Sequence, residues 1–319
     1  MIAFIFPGQG SQTVGMGKAL AHVFPEARAA FDEADAAFAA AAAGTTAPNR
    51  SLRQLCFEGP EDQLTLTEHT QPAILAVSIA AARVLEARGI RPQIVAGHSL
   101  GEYSANVAAG TFSFADAVGI VRRRGRYMQE AVPPGLGAMA AILGLDAAQV
   151  RGACEAASGG EVVGPANINS PGQIVIAGAA AAVDRAAAHA VALGARRVVP
   201  LQVSAPFHCA LMKPAEARLE PELRALAVRD PGVPIVANVD AQPKRDARAA
   251  IDALIGQVSA PVLWEGVVRR LASEGVTTYV EVGPGRVLGG LVKKIQKDAQ
   301  ILAFAEPGDL DAVLRAGKK

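Results

Sequence analysis

Chemistry in this chain centres on Ser99, which stands between two glycines in the stretch Ile94-Val-Ala-Gly-His-Ser-Leu-Gly-Glu102. Apolar Ile94, Val95 and Ala96 read as a short buried strand, and the Ala-rich run from Tyr103 to Ala109 reads as a helix. Gly97 and Gly101 let the backbone close between them without Cβ clashes, so Ser99 is pushed out at the tip of a sharp elbow. Its hydroxyl can then face a ligand, while the Leu100 amide, at the positive end of a helix, can face a developing oxyanion. An ordinary strand-to-helix turn is the bland alternative, because five-residue motifs recur by chance; the flanking strand and helix favour a nucleophile.

A serine nucleophile needs a base, and the chain has five histidines. His22 and His189 fall in Ala-rich helices and His69 just before a helix cap, where solvent-facing or packing roles suffice. His98 adjoins Ser99, so the two side chains diverge. His208, on a loop between a strand and a helix, is placed to meet the elbow in space and is the candidate base. Cys209 beside it reads as a small buried thiol rather than a nucleophile. No acidic residue after Ser99 sits in an evident catalytic loop, since Asp116, Asp146 and Asp184 all read as first-turn helix residues. That leaves a backbone or amide carbonyl to orient the imidazole.

Ser113 caps a helix from Phe114 to about Glu130. At about 100° per residue, Ala117, Ile120, Val121, Tyr127 and Met128 share one face, with Arg124 in its middle. Arg122, Arg123 and Arg126 point elsewhere and read as a solvated basic face. A guanidinium on an apolar face needs a partner, either an internal carboxylate or the anionic part of a ligand, and the pattern leaves both open.

These residues need a scaffold, and 319 residues that are 51% hydrophobic and 19% charged can bury a large core as a soluble globular protein. Lys and Arg at 31 against Asp and Glu at 30 give a net charge of +1, so no overall field draws nucleic acid or a membrane surface. Cys56, Cys154 and Cys209 are far apart and form no Cys-x-x-Cys pair, which argues against a disulfide framework or a zinc site and for a reducing cytoplasm. The N-terminal stretch Met1 to Pro7 lacks the basic region and long apolar core of a signal peptide, and no run is long enough to span a bilayer.

Along the chain, Ile2 to Phe6 is an apolar strand opening into the loop Gly8-Gln-Gly-Ser-Gln12. Thr13 stands where a dinucleotide fingerprint needs its third glycine, and no Walker lysine follows. What remains is a glycine loop at a strand's carboxyl end, whose amides could supply a second oxyanion donor. Gly17 to Phe38 is helical, and Ala39 to Arg50 reads as a surface insertion. Pro60 opens a short helix, and Thr70-Gln71-Pro72 caps a long apolar one ending before Gly89, with Pro72 at its first position. From Gly135 to Val199 the order is βαββαβ, as in a ferredoxin-like unit. Further βα successions follow, closing with the strand Thr278 to Val282, Gly283-Pro-Gly285 and a last helix. The expected fold is therefore α/β: a large α/β-hydrolase-like subdomain with a parallel sheet core, residues 1–131 and 200–319, and an inserted small ferredoxin-like subdomain, residues 132–199. The active site is expected in the cleft between them.

Taken together, Phe6-Pro-Gly-Gln-Gly-Ser-Gln12, Thr70-Gln-Pro72, Gly97-His-Ser-Leu-Gly101, Arg124-Gly125, Gly137-Ala-Met139, Asn167-Ile-Asn-Ser-Pro-Gly172, Pro206-Phe-His208, Gln257 and Val282-Gly-Pro-Gly285 resemble the malonyl-CoA:acyl carrier protein transacylases and related acyltransferase domains of fatty-acid and polyketide synthases. The resemblance runs through nearly the whole chain. It implies that Ser99 is the acylated nucleophile, His208 the base, and the amides of Gln9 and Leu100 the oxyanion hole. It further implies that Arg124 binds the malonyl carboxylate and that the main-chain carbonyl of Gln257 orients His208. The implied enzyme is a cytoplasmic monomer without metal or cofactor. It passes malonyl from malonyl-CoA to the phosphopantetheine thiol of holo-acyl carrier protein, by ping-pong transfer, for fatty-acid synthesis. Two rivals are a trans-acting polyketide-synthase acyltransferase and a serine thioesterase or hydrolase with the same elbow. Intact Ser99 and His208 argue against a scaffold that merely docks carrier protein.

Overall fold

The computed structural model describes residues 1–41 and 50–317. Most of the Ala39 to Arg50 insertion therefore lies outside the described residues. Among the described residues ten strands form two sheets. Numbered in chain order they are β1 Ile2–Phe6, β2 Ile94–Gly97, β3 Gly137–Leu143, β4 Val163–Ser170, β5 Gln173–Ala179, β6 Arg197–Pro200, β7 Ile235–Val236, β8 Pro243–Lys244, β9 Thr278–Val282 and β10 Gln300–Phe304.

The larger sheet has the order β10-β9-β1-β2-β7-β8, parallel except for the edge pair β7 and β8. The central strands β1 and β2 are apolar throughout, as strands covered on both faces require, and successive side chains feed opposite layers. Phe4, Phe6, Val95, Val280 and Val282 enter the core under the long helices Thr67–Glu86, Phe114–Glu130 and Pro25–Ala40. Ala3, Ile5, Ile94, Ala96 and Tyr279 enter the opposite core with Trp264, Leu288 and Val292. A parallel α/β subdomain thus carries the elbow between its central strands.

The inserted unit runs β3, helix Ala147–Ala157, β4, β5, helix Ala180–Ala192, β6, and its antiparallel sheet has the order β4-β5-β3-β6. This is the expected ferredoxin-like arrangement. Its helices bury Val150, Cys154, Val183 and Ala186 against one sheet face. The opposite face presents Met139, Ala166, Val175 and Ala177 to Cys209 of the larger unit. The small unit is also stitched by backbone to the segment ahead of the helix Trp264–Ser273: Ile168 N–H donates to Val262 O at 2.9 Å and Val262 N–H to Ala166 O at 2.8 Å.

Four helical expectations change. The helix containing Pro72 starts at Thr67, so Pro72 lies inside it rather than at its first position. Thr70 is buried and its hydroxyl donates back to Leu64 O at 2.6 Å instead of capping an amide. The early start is a packing effect: Thr67, His69, Thr70 and Gln71 are all buried in the first turns, which offsets the one bond that Pro72 cannot make. The stretch Gly17 to Phe38 is two helices, Lys18–Val23 and Pro25–Ala40, because Phe24 before Pro25 is forced into an extended conformation. Before Pro60, Leu52–Glu58 is an unanticipated helix opened by a Ser51–Gln54 capping box. After the expected closing helix, here Val287–Ile295, the chain adds β10 and the helix Leu310–Gly317.

Candidate active site

The elbow forms because two backbones meet where only glycine fits. A Cβ on Gly97 would lie 1.9 Å from the Gly101 carbonyl carbon, and a Cβ on Gly101 would lie 2.0 Å from the Phe6 carbonyl oxygen. Between them Ser99 takes φ 52° and ψ −106°, a conformation that costs a non-glycine residue on the order of 1–3 kcal/mol. Leu100 begins the helix Leu100–Ala108. The glycine loop after β1 is drawn against this turn. His98 N–H donates to Phe6 O at 3.0 Å, a Cβ on Gly8 would lie 2.5 Å from His98 O, and the Ser11 hydroxyl holds Gly8 O at 2.8 Å. Among the described residues, neither the Gln9 nor the Leu100 main-chain N–H has an acceptor, so both are free for a ligand oxygen.

His208 also has positive φ, 60°, and is only 4% exposed. Its Nε2 lies 2.7 Å from Ser99 Oγ, and its Nδ1 lies 2.9 Å from the Gln257 main-chain oxygen. A carbonyl oxygen can only accept, so Nδ1 carries the proton and Nε2 is left to accept from the serine hydroxyl. Burial, and then the positive charge of Arg124, push the imidazole down to about 3, which keeps it neutral at physiological pH. Cys209 is buried, donates to Pro206 O at 3.0 Å, and has its thiol pushed up to about 11 by burial, so it stays protonated.

Arg124 is 1% exposed. Its helix can approach Thr67–Glu86 closely because a Cβ on Gly125 would lie 2.5 Å from Thr67 O. Across that crossing Nη1 donates to Gln71 Oε1 at 2.8 Å, and Nη2 donates to Gln257 Oε1 at 2.8 Å and to Ser99 Oγ at 3.2 Å. Neutral amides therefore hold the guanidinium, and no carboxylate of the described residues forms an ion pair with it. Its Nε has no acceptor. A buried cation held by amide dipoles and the Tyr103 ring, 5.2 Å from its Cζ, and set beside the serine oxygen, is suited to receive a ligand anion.

The expected solvated basic face is only partly so. Arg123 pairs with Glu222 and Arg126 with Glu130, but Arg122 is 5% exposed, donates to Phe38 O at 3.0 Å and lies over the Phe38 ring at 4.4 Å. The helix Pro25–Ala40 packs on that side, a neighbour that periodicity alone does not show. His22 and His189 are exposed, while His69 is buried, bonding Gln63 O at 2.9 Å and packing on Phe38. His98 turns away from Ser99 to Asn169, 2.9 Å from Oδ1. Asp116 receives the Ser113 cap, Asp146 is itself a cap, and Asp184 is exposed, so none approaches His208.

Three residues at the site carry no expectation from the sequence: Gln71, Glu102 and Asn238. Glu102 is 1% exposed, and burial raises its carboxyl to about 7. Nothing local marks it, since a first-turn acidic residue in the helix Leu100–Ala108, which also carries Ser104 and Asn106, reads as placed for the helix dipole. Ser99, His208, Gln9 and Asn167 line a cavity of about 470 Å³ between the two sheets, closed further by Met128, Met139 and Phe207.

A strained serine bonded to a neutral, carbonyl-oriented histidine beside two free amides is the equipment of an enzyme that works through an acyl-serine. Residues 3–306 match the acyl transferase domain family, and the chain belongs to that family. It is 49% identical over 313 residues to the malonyl CoA-acyl carrier protein transacylase of Escherichia coli, covering 98% of both chains. It is 46% identical over 319 residues to that of Bacillus subtilis, covering 100% of this chain and 98% of that one. Among solved structures, a malonyl-transacylase in complex with its holo type II polyketide-synthase acyl-carrier protein superposes with a TM-score of 0.93 at 44% identity, over 99% of both chains. An acyl carrier protein S-malonyltransferase from Vibrio cholerae superposes with a TM-score of 0.93 at 45% identity, over 98% of this chain and 99% of that one.

Proposed function

We propose that this protein transfers a malonyl group from malonyl-CoA to the phosphopantetheine thiol of an acyl carrier protein, through malonyl-Ser99, for fatty-acid or polyketide synthesis. The observation that carries the reading is the meeting of two groups at one oxygen: Ser99 Oγ lies 2.7 Å from the base nitrogen and 3.2 Å from a buried guanidinium without a carboxylate partner. His208 Nε2 takes the hydroxyl proton as Oγ attacks the thioester carbon, and the Gln9 and Leu100 amides receive the oxyanion. The C–S bond then breaks and the proton passes to the departing CoA sulfur. In the second half the carrier thiol gives its proton to Nε2 and attacks the serine ester, and Ser99 Oγ leaves with that proton.

Arg124 pairs the malonyl carboxylate in this scheme, which also acts on the base. The cation contributes to the depression of His208, so its neutralisation by the bound carboxylate returns basicity to Nε2 when substrate is in place. Every group invoked comes from one chain, which supports action as a monomer. Three unpaired buried cysteines support a reducing, cytoplasmic setting. No helix of the described residues is long and apolar enough to cross a membrane. We assign residues 132–199 to the small subdomain roofing the site, and 1–131 and 200–319 to the catalytic one, on the strength of the self-contained β3 to β6 sheet. The test is intact-protein and peptide mass spectrometry after mixing with malonyl-CoA and then with holo-carrier protein. One malonyl on Ser99, discharged to carrier faster than to water, is expected; a label on Cys209, no label, or preferential hydrolysis refutes the reading.

A further inference from the structure

Resting on the reading of Ser99 as nucleophile, the buried carboxylate of Glu102 has a place in the site that the transfer chemistry does not use. Its Oε2 accepts from the Asn238 main-chain N–H at 2.9 Å and from Gln257 Nε2 at 2.8 Å. Those two residues are the ones that grip Ser99 itself. Asn238 Oδ1 accepts the Ser99 N–H at 2.7 Å while its Nδ2 donates to Gly97 O at 2.7 Å. Gln257 Nε2 donates to the Ser99 carbonyl at 2.9 Å, its Oε1 receives Arg124, and its main-chain oxygen receives His208 Nδ1. The elbow serine, in its strained conformation, is thus held by its N–H and its C=O, and one carboxylate oxygen is common to both grips.

We propose that Glu102 is a positioning residue: through Asn238 and Gln257 it fixes the strained elbow and, with it, the alignment of Ser99 Oγ to the base and to Arg124. It touches no reacting atom. The chemistry explains why an acceptor with two free lone pairs stands here. Asn238 N–H and the Gln257 amide converge from two different segments, and a single oxygen that accepts both holds those segments at fixed separation. The Gln257 amide also lies between the guanidinium and the carboxylate with its dipole aligned to both. Its oxygen faces the guanidinium donor and its nitrogen faces an acceptor oxygen, so a flip would set donor against donor and acceptor against acceptor.

Two variants separate reach from charge. Glu102→Gln keeps an oxygen at the same distance along the side chain and removes the charge. Glu102→Asp keeps the charge and withdraws the oxygen by one methylene. If position is what matters, Glu102→Asp should lose tenfold or more in the single-turnover rate of Ser99 malonylation, with the KM for malonyl-CoA within about threefold of wild type. Glu102→Gln should retain at least a third of the rate. The inference is overturned if Glu102→Asp is as fast as or faster than Glu102→Gln, if both lose equally, or if both match wild type. Thermal unfolding and far-UV circular dichroism, measured in parallel, identify a variant that has simply failed to fold. In that event, wild-type rates in folded Asn238→Ala would overturn the inference, and a tenfold loss there would support it. Wild-type enzyme in the same assay separates the two readings: absence of malonyl-Ser99 there defeats the function itself, whereas normal labelling with indifferent variants defeats only the role of Glu102.

Discussion

Replacing Arg124 by alanine should change which acyl group the enzyme prefers, and the structure sets the size of the change. In the free enzyme each Nη of Arg124 is spent on a neutral amide oxygen, on Gln71 and Gln257, and Nη2 also reaches Ser99 Oγ. A malonyl carboxylate attached through Oγ would draw these donors into charge-assisted bonds, for which a loss of roughly 1.5–3 kcal/mol is typical. At about 1.4 kcal/mol per decade, that is roughly a 10- to 150-fold fall in the rate constant for malonyl loading at low substrate. Acetyl groups carry no carboxylate and lose none of this term. Whatever the alanine does to Ser99 alignment, or to the two amide oxygens it strands, is shared by both acyl groups and cancels in their ratio. The assay is therefore the ratio of malonyl to acetyl transfer to carrier protein in wild type and Arg124→Ala under identical conditions. Arg124→Lys should recover only part of the ratio, since one ammonium cannot form the two parallel bonds of a guanidinium. An unchanged ratio would refute the reasoning and place the carboxylate site elsewhere.

Four further outcomes are expected. His208→Ala should lower transfer by on the order of a hundredfold or more while malonyl-CoA binding, followed calorimetrically, largely survives; near-normal turnover would mean that another group takes the Ser99 proton. Because burial and Arg124 hold His208 down to about 3 in the free enzyme, acylation at sub-saturating malonyl-CoA, which reports the free enzyme, should hold its rate as pH falls from 7 to 5, and a limb near 6.5 there would contradict the buried, neutral imidazole. The same shifts govern stability with opposite signs: His208, depressed, contributes stability that is lost as pH falls from about 6.5 towards 3, and Glu102, raised to about 7 from 4.5, contributes stability that is lost as pH rises across that interval. Glu102→Gln should therefore make the melting temperature rise more, or fall less, between pH 5 and pH 7 than it does in wild type, as differential scanning calorimetry would show. Gly125→Ala should bring Cβ within 2.5 Å of Thr67 O, push the Arg124 helix away, and reduce malonyl loading more than acetyl loading.

Local signals carried much of this protein into its sequence. The elbow was legible because Gly-x-Ser-x-Gly between an apolar strand and an Ala-rich helix obeys a steric rule: the turn closes only where Cβ atoms are missing, at Gly97 and Gly101. The helix Phe114–Glu130, its Ser113 cap and the inward Arg124 followed from a 3.6-residue period, and the βαββαβ insertion from alternating element order. Each of these depends on neighbours a few residues apart, which a single chain displays. The resemblance to a family supplied what such rules do not, above all the Gln257 carbonyl, which no side-chain chemistry marks.

Tertiary structure decided the rest, for reasons of distance along the chain. Glu102, Asn238 and Gln257 hold the elbow from positions that no periodicity links, and a buried carboxylate is recognisable only once the groups that cover it are in place. Arg122 looks like Arg123 and Arg126 on a helical wheel, and only the packing of Pro25–Ala40 buries one and leaves the others to ion pairs. Pro72 reads locally as a helix start, yet the burial of Thr67 to Gln71 extends the helix ahead of it. The two open choices at Arg124, internal carboxylate or ligand anion, also required the fold. Only the fold shows Gln71 and Gln257 holding the guanidinium with neutral oxygens beside Ser99, without an internal ion pair, and that arrangement is what favours the ligand anion of the two.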